Sequence, residues 1–254
     1  PPLGTSPMSA ALITLALYQL VVLLVLLARG PLFGDLVQAF LNRPAVLILG
    51  TFAGMATLGA IFLSFPAASR GAPLSFLDAL FTATSAACIT GLTVLDTQTA
   101  FTDFGLVVIM ILVQLGGLGI MVLSTFATVL LGGRLALRSE QALEEVLDLS
   151  SPGSAYELTR FIVVSTLVIE ALGAGLLALA FHDHGLAWPD ALWRGAFHAV
   201  SAFCNAGFST LSGGLADARV VDRTGMLATV LGLIMLGGLG FPVIKNLWLV
   251  SYTR

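Results

Sequence analysis

Gly91 and Gly207 each follow a short run of small residues, and the surroundings of the first recur around the second. Displacing the sequence by 116 residues sets Phe81, Ala83, Ser85, Ala86, Cys88 and Gly91 on Phe197, Ala199, Ser201, Ala202, Cys204 and Gly207, with Thr93 on Ser209. The chemistry this pattern offers belongs to the backbone. A cation entering hydrocarbon must have its lost hydration replaced, and peptide carbonyls lining a protein-walled path can replace it. Glycine adopts backbone angles that other residues avoid, so it can aim a carbonyl where an ordinary turn would not. Segments 89–92 (ITGL) and 205–208 (NAGF) would then supply oxygens from Ile89, Thr90, Gly91 and Leu92 and from Asn205, Ala206, Gly207 and Phe208. A lone glycine would equally well do no more than turn the chain back. Two copies of the same helix, cysteine and glycine favour the coordinating reading.

Other candidates carry less. Glu170 lies deep in an apolar run, where a charge costs roughly 2.5–3.5 kcal/mol and needs a partner. One role for it is an ion-path carboxylate or proton relay. The other is structural: a buried acid accepting backbone hydrogen bonds behind the second glycine segment. Cys88 and Cys204 occupy equivalent places, where a disulfide would block the path, so they read as small wall residues. His198, among Ala and Phe, reads as a hydrogen-bonded packing residue, and His182-Asp183-His184 is metal-like in composition only. An intramembrane enzyme built on Glu170 and His198 would lack its partners, for the chain has no second intramembrane acid, no HExxH and no GxSxG.

The elements that must hold these residues are membrane elements. Hydrophobic residues make up 57% of the chain and charged ones 10%, outside the range of soluble domains. Net charge is −3 with scattered basic residues, which argues against nucleic acid as a partner. Two cysteines without CxxC argue against a disulfide framework or zinc site. The chain begins Pro-Pro without an initiator methionine, which suggests a fragment. Apolar runs at 12–27, 46–65, 104–131, 161–181 and 225–250 are predicted to span a bilayer. Segments 75–87 and 190–203 are too short: thirteen helical residues rise only about 20 Å against a hydrocarbon core of roughly 30 Å, the length of a re-entrant helix. Ser75 with Asp78 resembles a capping box at the start of the first. In LGGLG at 115–119 and 236–240, Gly116, Gly117, Gly119, Gly237, Gly238 and Gly240 would let helix backbones approach closely and so support the pore. Within the hydrophilic stretch 132–158, SEQALEEVLDL predicts a surface helix that Ser-Ser-Pro-Gly stops.

The expected fold is therefore an all-α membrane protein of two parallel, tandem helix–pore-loop–helix repeats. Residues 1–43 form an N-terminal membrane helix and linker, 44–132 the first repeat, 133–158 a cytoplasmic connector and 159–254 the second repeat. Each repeat crosses twice, so both enter in one orientation about an axis along the membrane normal. Basic residues concentrate at 29–43, 132–160 and 245–254, which places both loops on the outer side together with Asp96, Asp103, Asp217 and Asp222.

LDALFTATSAACITGLTVLDT (77–97), QLGGLG (114–119), TLVIEALGAGLL (166–177) and AFHAVSAFCNAGFST (196–210) resemble the Trk/Ktr/HKT superfamily of potassium transporters, specifically the pore-forming membrane subunit of bacterial Trk and Ktr systems. The resemblance covers about 44–254. It implies a potassium-channel-like fold with four repeats around a central pore and one filter glycine in each, two of which are in this chain. It implies K+ as the transported ion, since Gly91 and Gly207 are glycine where some plant relatives carry serine in the first loop and favour sodium. It further implies no covalently bound cofactor, a multi-pass location in the plasma (inner) membrane, a homodimer of the full-length subunit, and a cytoplasmic nucleotide-binding (RCK/KTN-type) regulatory ring near the connector and Lys245. At Glu170 it favours the structural role. Sodium- or proton-coupled symport on the same fold is the alternative to channel-like uptake.

Overall fold

The structure, a computed structural model, describes residues 44–135, 152–214, 217, 224–241 and 243–246. The helices expected at 12–27 and 139–149 lie outside the described residues. The chain divides into two units, Pro1–Thr51 and Phe52–Arg254. Of the first, residues 44–51 are described, and they are helical. Apart from the first turns of the helix that begins at Pro44, everything below concerns the second.

The described residues are all-helical apart from one isolated bridge between Ser69 and Phe101. Helix α1 (Pro44–Leu63) ends before a single 3-10 turn at Pro66–Ala68. A short helix α2 (Phe76–Ala87), a one-turn α3 (Thr97–Ala100) and the long α4 (Asp103–Leu135) follow. After them come α5 (Pro152–Asp183), the short α6 (Trp188–Phe203) and α7 (Thr224–Gly238). Pro152 opens α5, nine residues ahead of the apolar run expected to span at 161–181. Proline is tolerated in a first turn because the N–H it lacks would be unpaired there anyway.

Among the described residues, two stretches, Asp103–Val122 of α4 and Glu157–Asp183 of α5, are long and apolar enough to cross a bilayer. Ile48–Leu63 and Thr224–Gly238 are apolar and shorter. At 12 and 16 residues, α2 and α6 reach about 18 and 24 Å, short of a core of roughly 30 Å. Along α5, Val164, Val168, Leu172, Leu176 and Leu179 are exposed on a single stripe, a face that suits lipid and not water. Ser75 caps α2, its hydroxyl oxygen accepting the Asp78 N–H at 3.1 Å while the hydroxyl itself donates to Asp78 Oδ2 at 2.7 Å.

Small residues bring the short helices in. Ala79, Ala83 and Ala86 on α2 are buried with Ile109, Leu112 and Val113 of α4. On α6, Ala191, Ala199 and Phe203 are buried in a second cluster with Leu177 and Phe181 of α5 and Val230 of α7. Phe197, Cys204, Ala206 and Phe208 belong to the first cluster, so the two halves share a core.

Candidate functional site

The ends of α2 and α6 are the same structure made twice. At the first, the Ile89 N–H donates to Ala86 O (3.3 Å) and the Thr90 N–H to Ser85 O (2.9 Å). At the second, the Asn205 N–H donates to Ala202 O (3.0 Å) and the Ala206 N–H to Ser201 O (2.8 Å). This pair of bonds is the Schellman closure, which requires a left-handed residue just past the cap. Ile89 (φ 56°) and Asn205 (φ 59°) fill that place. Asparagine visits this region readily, but for a β-branched isoleucine it is an outlier that costs about 1–3 kcal/mol unless its surroundings hold it there. Two residues on, Gly91 (φ 70°) and Gly207 (φ 74°) are left-handed again. Thr90 and Ala206 between them are not.

The two turns touch at their glycines. A Cβ built on Gly91 would lie 2.6 Å from Ala206 O and 3.3 Å from Gly207 Cα, and one on Gly207 would lie 3.3 Å from Gly91 Cα. All eight residues expected to offer carbonyls therefore fall in two adjoining turns. Thr90, Leu92, Asn205 and Gly207 are exposed, Ile89 and Gly91 half-buried, Ala206 and Phe208 buried.

Each turn has a floor. A methyl on Gly116 of α4 would overlap the Ala87 carbonyl, the last of α2, and one on Gly237 of α7 would overlap the Phe203 carbonyl, the last of α6. The two glycines occupy corresponding places in LGGLG, so both second helices press directly against a short helix's end. A Cβ on Gly117 would come 2.5 Å from Cys204 Sγ. The other three differ: Gly119 looks at Phe52 from 3.8 Å, Gly238 has nothing within 4 Å, and Gly240 (φ 77°) follows the end of α7.

Glu170, only 5% exposed, reaches the cap of α6: the Cys204 thiol faces its Oε1 at 3.8 Å. Gln114 of α4 is the other polar neighbour, though its Nε2 closes no hydrogen bond. The donor shown is thus the thiol, where backbone groups were expected, and Cys204 is a link as well as a wall. Glu170→Gln keeps the shape and removes the charge. It is expected to lower folded yield and transport rate several-fold while leaving ion preference unchanged, measured as membrane-extracted protein and as the ratio of rubidium to sodium uptake. A changed ratio at full yield would place Glu170 in the ion path.

Hydrogen bonds tie the second turn to the chain leaving it. His198 Nδ1 faces Arg194 O at 2.8 Å and must donate, so Nε2 accepts from the Ser209 hydroxyl at 3.0 Å, whose oxygen accepts the Leu211 N–H at 3.0 Å. Ser201 donates to Phe208 O at 2.6 Å. The first turn is held otherwise, Thr90 Oγ1 lying 3.0 Å from Ser85 Oγ. No repeated motif marked His198 as a strut, since Thr82 stands at the corresponding place. His182, of the metal-like triplet, stacks on Trp188 with ring centres 4.1 Å apart and bonds Leu186 O at 2.9 Å.

Beyond the turns, the loops from the two halves meet. The Ser212 N–H and hydroxyl both donate to Gln98 Oε1 at 3.0 Å, and the hydroxyl also reaches Asp96 Oδ1 at 3.3 Å. Burial alone would raise the Asp96 pKa, but bonds from the Thr99 N–H and hydroxyl and from Ser212 hold it below the ordinary carboxylate value. Whatever stability this contact adds is present above the unfolded pKa and is lost only in acid, as pH falls through the lowered folded value. Asp103 pairs with Arg70 at 3.6 Å.

Residues 51–251 match the TrkH family, described as a cation transport protein. Among curated proteins, the chain is similar to the potassium/sodium uptake protein NtpJ of Enterococcus hirae, at 36% identity over 214 residues, 83% of this chain and 46% of that protein. It is similar to the Ktr system potassium uptake protein B of Bacillus subtilis (38% over 201 residues, 79% and 44%) and of Vibrio alginolyticus (38% over 207 residues, 82% and 44%). The chain thus spans about half the length of the curated relatives it matches.

Proposed function

The chain belongs to the TrkH family of cation transport proteins, membrane transporters and not enzymes, and on that premise we propose that it supplies two segments of a potassium selectivity filter. The observation that carries this reading is the doubled turn, with Gly91 and Gly207 in contact and φ changing sign at each step from 89 to 91 and from 205 to 207. The N–H groups of Ile89, Thr90, Asn205 and Ala206 are bonded back to the helix ends they close, which leaves the carbonyls of the turns, Phe208 O apart, free for another partner. Such a row of oxygens can replace a hydration shell. The ends of α2 and α6 add negative helix dipole beside the turns.

In this reading α2 and α6 are re-entrant pore helices within repeats 44–132 and 159–254. The ring closes with a further pair of glycine turns, from the same polypeptide or from a second copy. Potassium is the ion because both turns carry glycine and because two of the relatives are named as potassium uptake proteins. The protein sits in the plasma membrane as a multi-pass subunit, and as in a Ktr system it works with a regulatory partner, here a nucleotide-binding ring beneath the connector 133–158.

The test is rubidium uptake by potassium-starved cells expressing the whole protein, at controlled membrane potential, with and without external sodium. Saturable uptake that potassium competes away is expected. Uptake that follows the potential alone fits a conducting pore, and an absolute sodium requirement fits symport. No uptake above that of empty cells would end the proposal.

A further inference from the structure

A cavity of about 480 Å³ lies between the N-terminal ends of α4 and α6, away from the glycine turns. Its charges are unequally engaged. Arg70 donates through Nε to Phe101 O at 2.6 Å and pairs with Asp103. Among the described residues Arg194 makes one hydrogen bond, from Nη1 to Thr210 O at 3.1 Å, which engages one of its five N–H donors. Asp190, one helical turn before Arg194, is exposed and has no ion pair within 4.0 Å among the described residues. Thr210 also lines the cavity. It is 3% exposed, and its Oγ1 has almost no accessible surface, so the hydroxyl lies out of reach of a group seated in the cavity.

The remaining walls say what kind of molecule fits. Leu106 and Val107 line one side and continue into the apolar stretch of α4 that is long enough to cross a bilayer. Trp193, whose amphipathic ring suits the boundary between headgroups and hydrocarbon, lines another. A simple anion would meet Asp190 and Asp103, and a simple cation would meet two guanidinium groups. A group carrying both charges, attached to an apolar tail, meets neither obstacle.

We propose that this cavity binds the headgroup of a zwitterionic phospholipid of the phosphatidylethanolamine type. Its phosphate accepts from Arg194, its ammonium faces Asp190, and its acyl chains follow Leu106 and Val107 down α4. The site rests on the chain spanning a membrane and not on the role of the glycine turns.

The whole protein, delipidated in mild detergent, is offered equal amounts of phosphatidylethanolamine and phosphatidylglycerol, and bound copies are counted by native mass spectrometry. Preferential retention of phosphatidylethanolamine is expected. Arg194→Gln should weaken it about tenfold, as fits the loss of a charged hydrogen bond. Asp190→Asn should keep phospholipid binding and abolish the preference. Should Arg194→Gln fail to fold, Asp190→Asn decides, because no fold contact is assigned to that side chain. Equal retention of both lipids by the unsubstituted protein, or an undiminished preference in Asp190→Asn, overturns the proposal. So does displacement of the lipid by glycerophosphoethanolamine or inorganic phosphate at equal concentration, which would make this a site for a soluble phosphate.

Discussion

Serine at position 207 is expected to lower the preference for potassium over sodium, and serine at 91 to lower it further. Both glycines are left-handed, with φ of 74° and 70°, and a residue bearing a Cβ pays about 1–2 kcal/mol to stay in that region. That cost alone corresponds to roughly a tenfold change in an equilibrium. It can be relieved only by rotating the peptide, which is the group proposed to hold the ion. Space orders the two variants. The new Cβ at 207 meets Gly91 Cα at 3.3 Å, a tight contact that a small shift relieves, whereas at 91 it meets a backbone oxygen, Ala206 O, at 2.6 Å. Relative permeabilities from reversal potentials in the whole protein read the effect directly. Selectivity unchanged in both variants, with protein at normal yield, would remove the two glycines from the ion path.

The second large effect is on folding. Gly116→Ala and Gly237→Ala each push a methyl into the last carbonyl of a short helix, where backbone on both sides cannot move as a side-chain tip can. Overpacking typically costs about 1–3 kcal/mol, and a clash with backbone belongs at the upper end, so both variants should lose most of their folded yield and melt several degrees lower in detergent. Gly238→Ala, with nothing within 4 Å, and Gly119→Ala, with Phe52 at 3.8 Å, are the controls and should behave as the unsubstituted protein. If all four variants behaved alike, the glycines would be acting through helix flexibility and not through close packing.

The contrast among these glycines shows where sequence reasoning stops. The duplication at 75–93 and 191–209 was legible because side-chain identity repeats, and it located the short helices to within two residues of Phe76–Ala87 and Trp188–Phe203. The Ser75 cap was legible because an oxygen three residues ahead of a carboxylate is a local pattern. The six LGGLG glycines looked interchangeable, because what separates them is the neighbour each one faces across the fold. Ile89 was read as a carbonyl donor, but its left-handed conformation was not legible, for a sharper reason. Left-handed residues are sought among Gly and Asn, and a β-branched residue there is held by the local Schellman bonds together with the packing of Ile89 against the first core cluster, which no local pattern announces. The thiol partner of Glu170 and the His198 to Ser209 strut join residues 34 and 11 positions apart, with no spacing rule to announce them. That α5 opens at Pro152, ahead of the apolar run at 161–181, was not legible because proline stops one helix and starts another equally well.

The central claim, that peptide oxygens of the two glycine turns face one ion, is tested most directly by anomalous scattering from the whole protein crystallised in lipid with thallium in place of potassium. The account predicts an anomalous peak within about 3 Å of carbonyl oxygens from both 89–92 and 205–208, at membrane depth beside the ends of α2 and α6. Thallium bound only at surface carboxylates, or α2 and α6 lying flat at the headgroups with Gly91 and Gly207 apart, would contradict it.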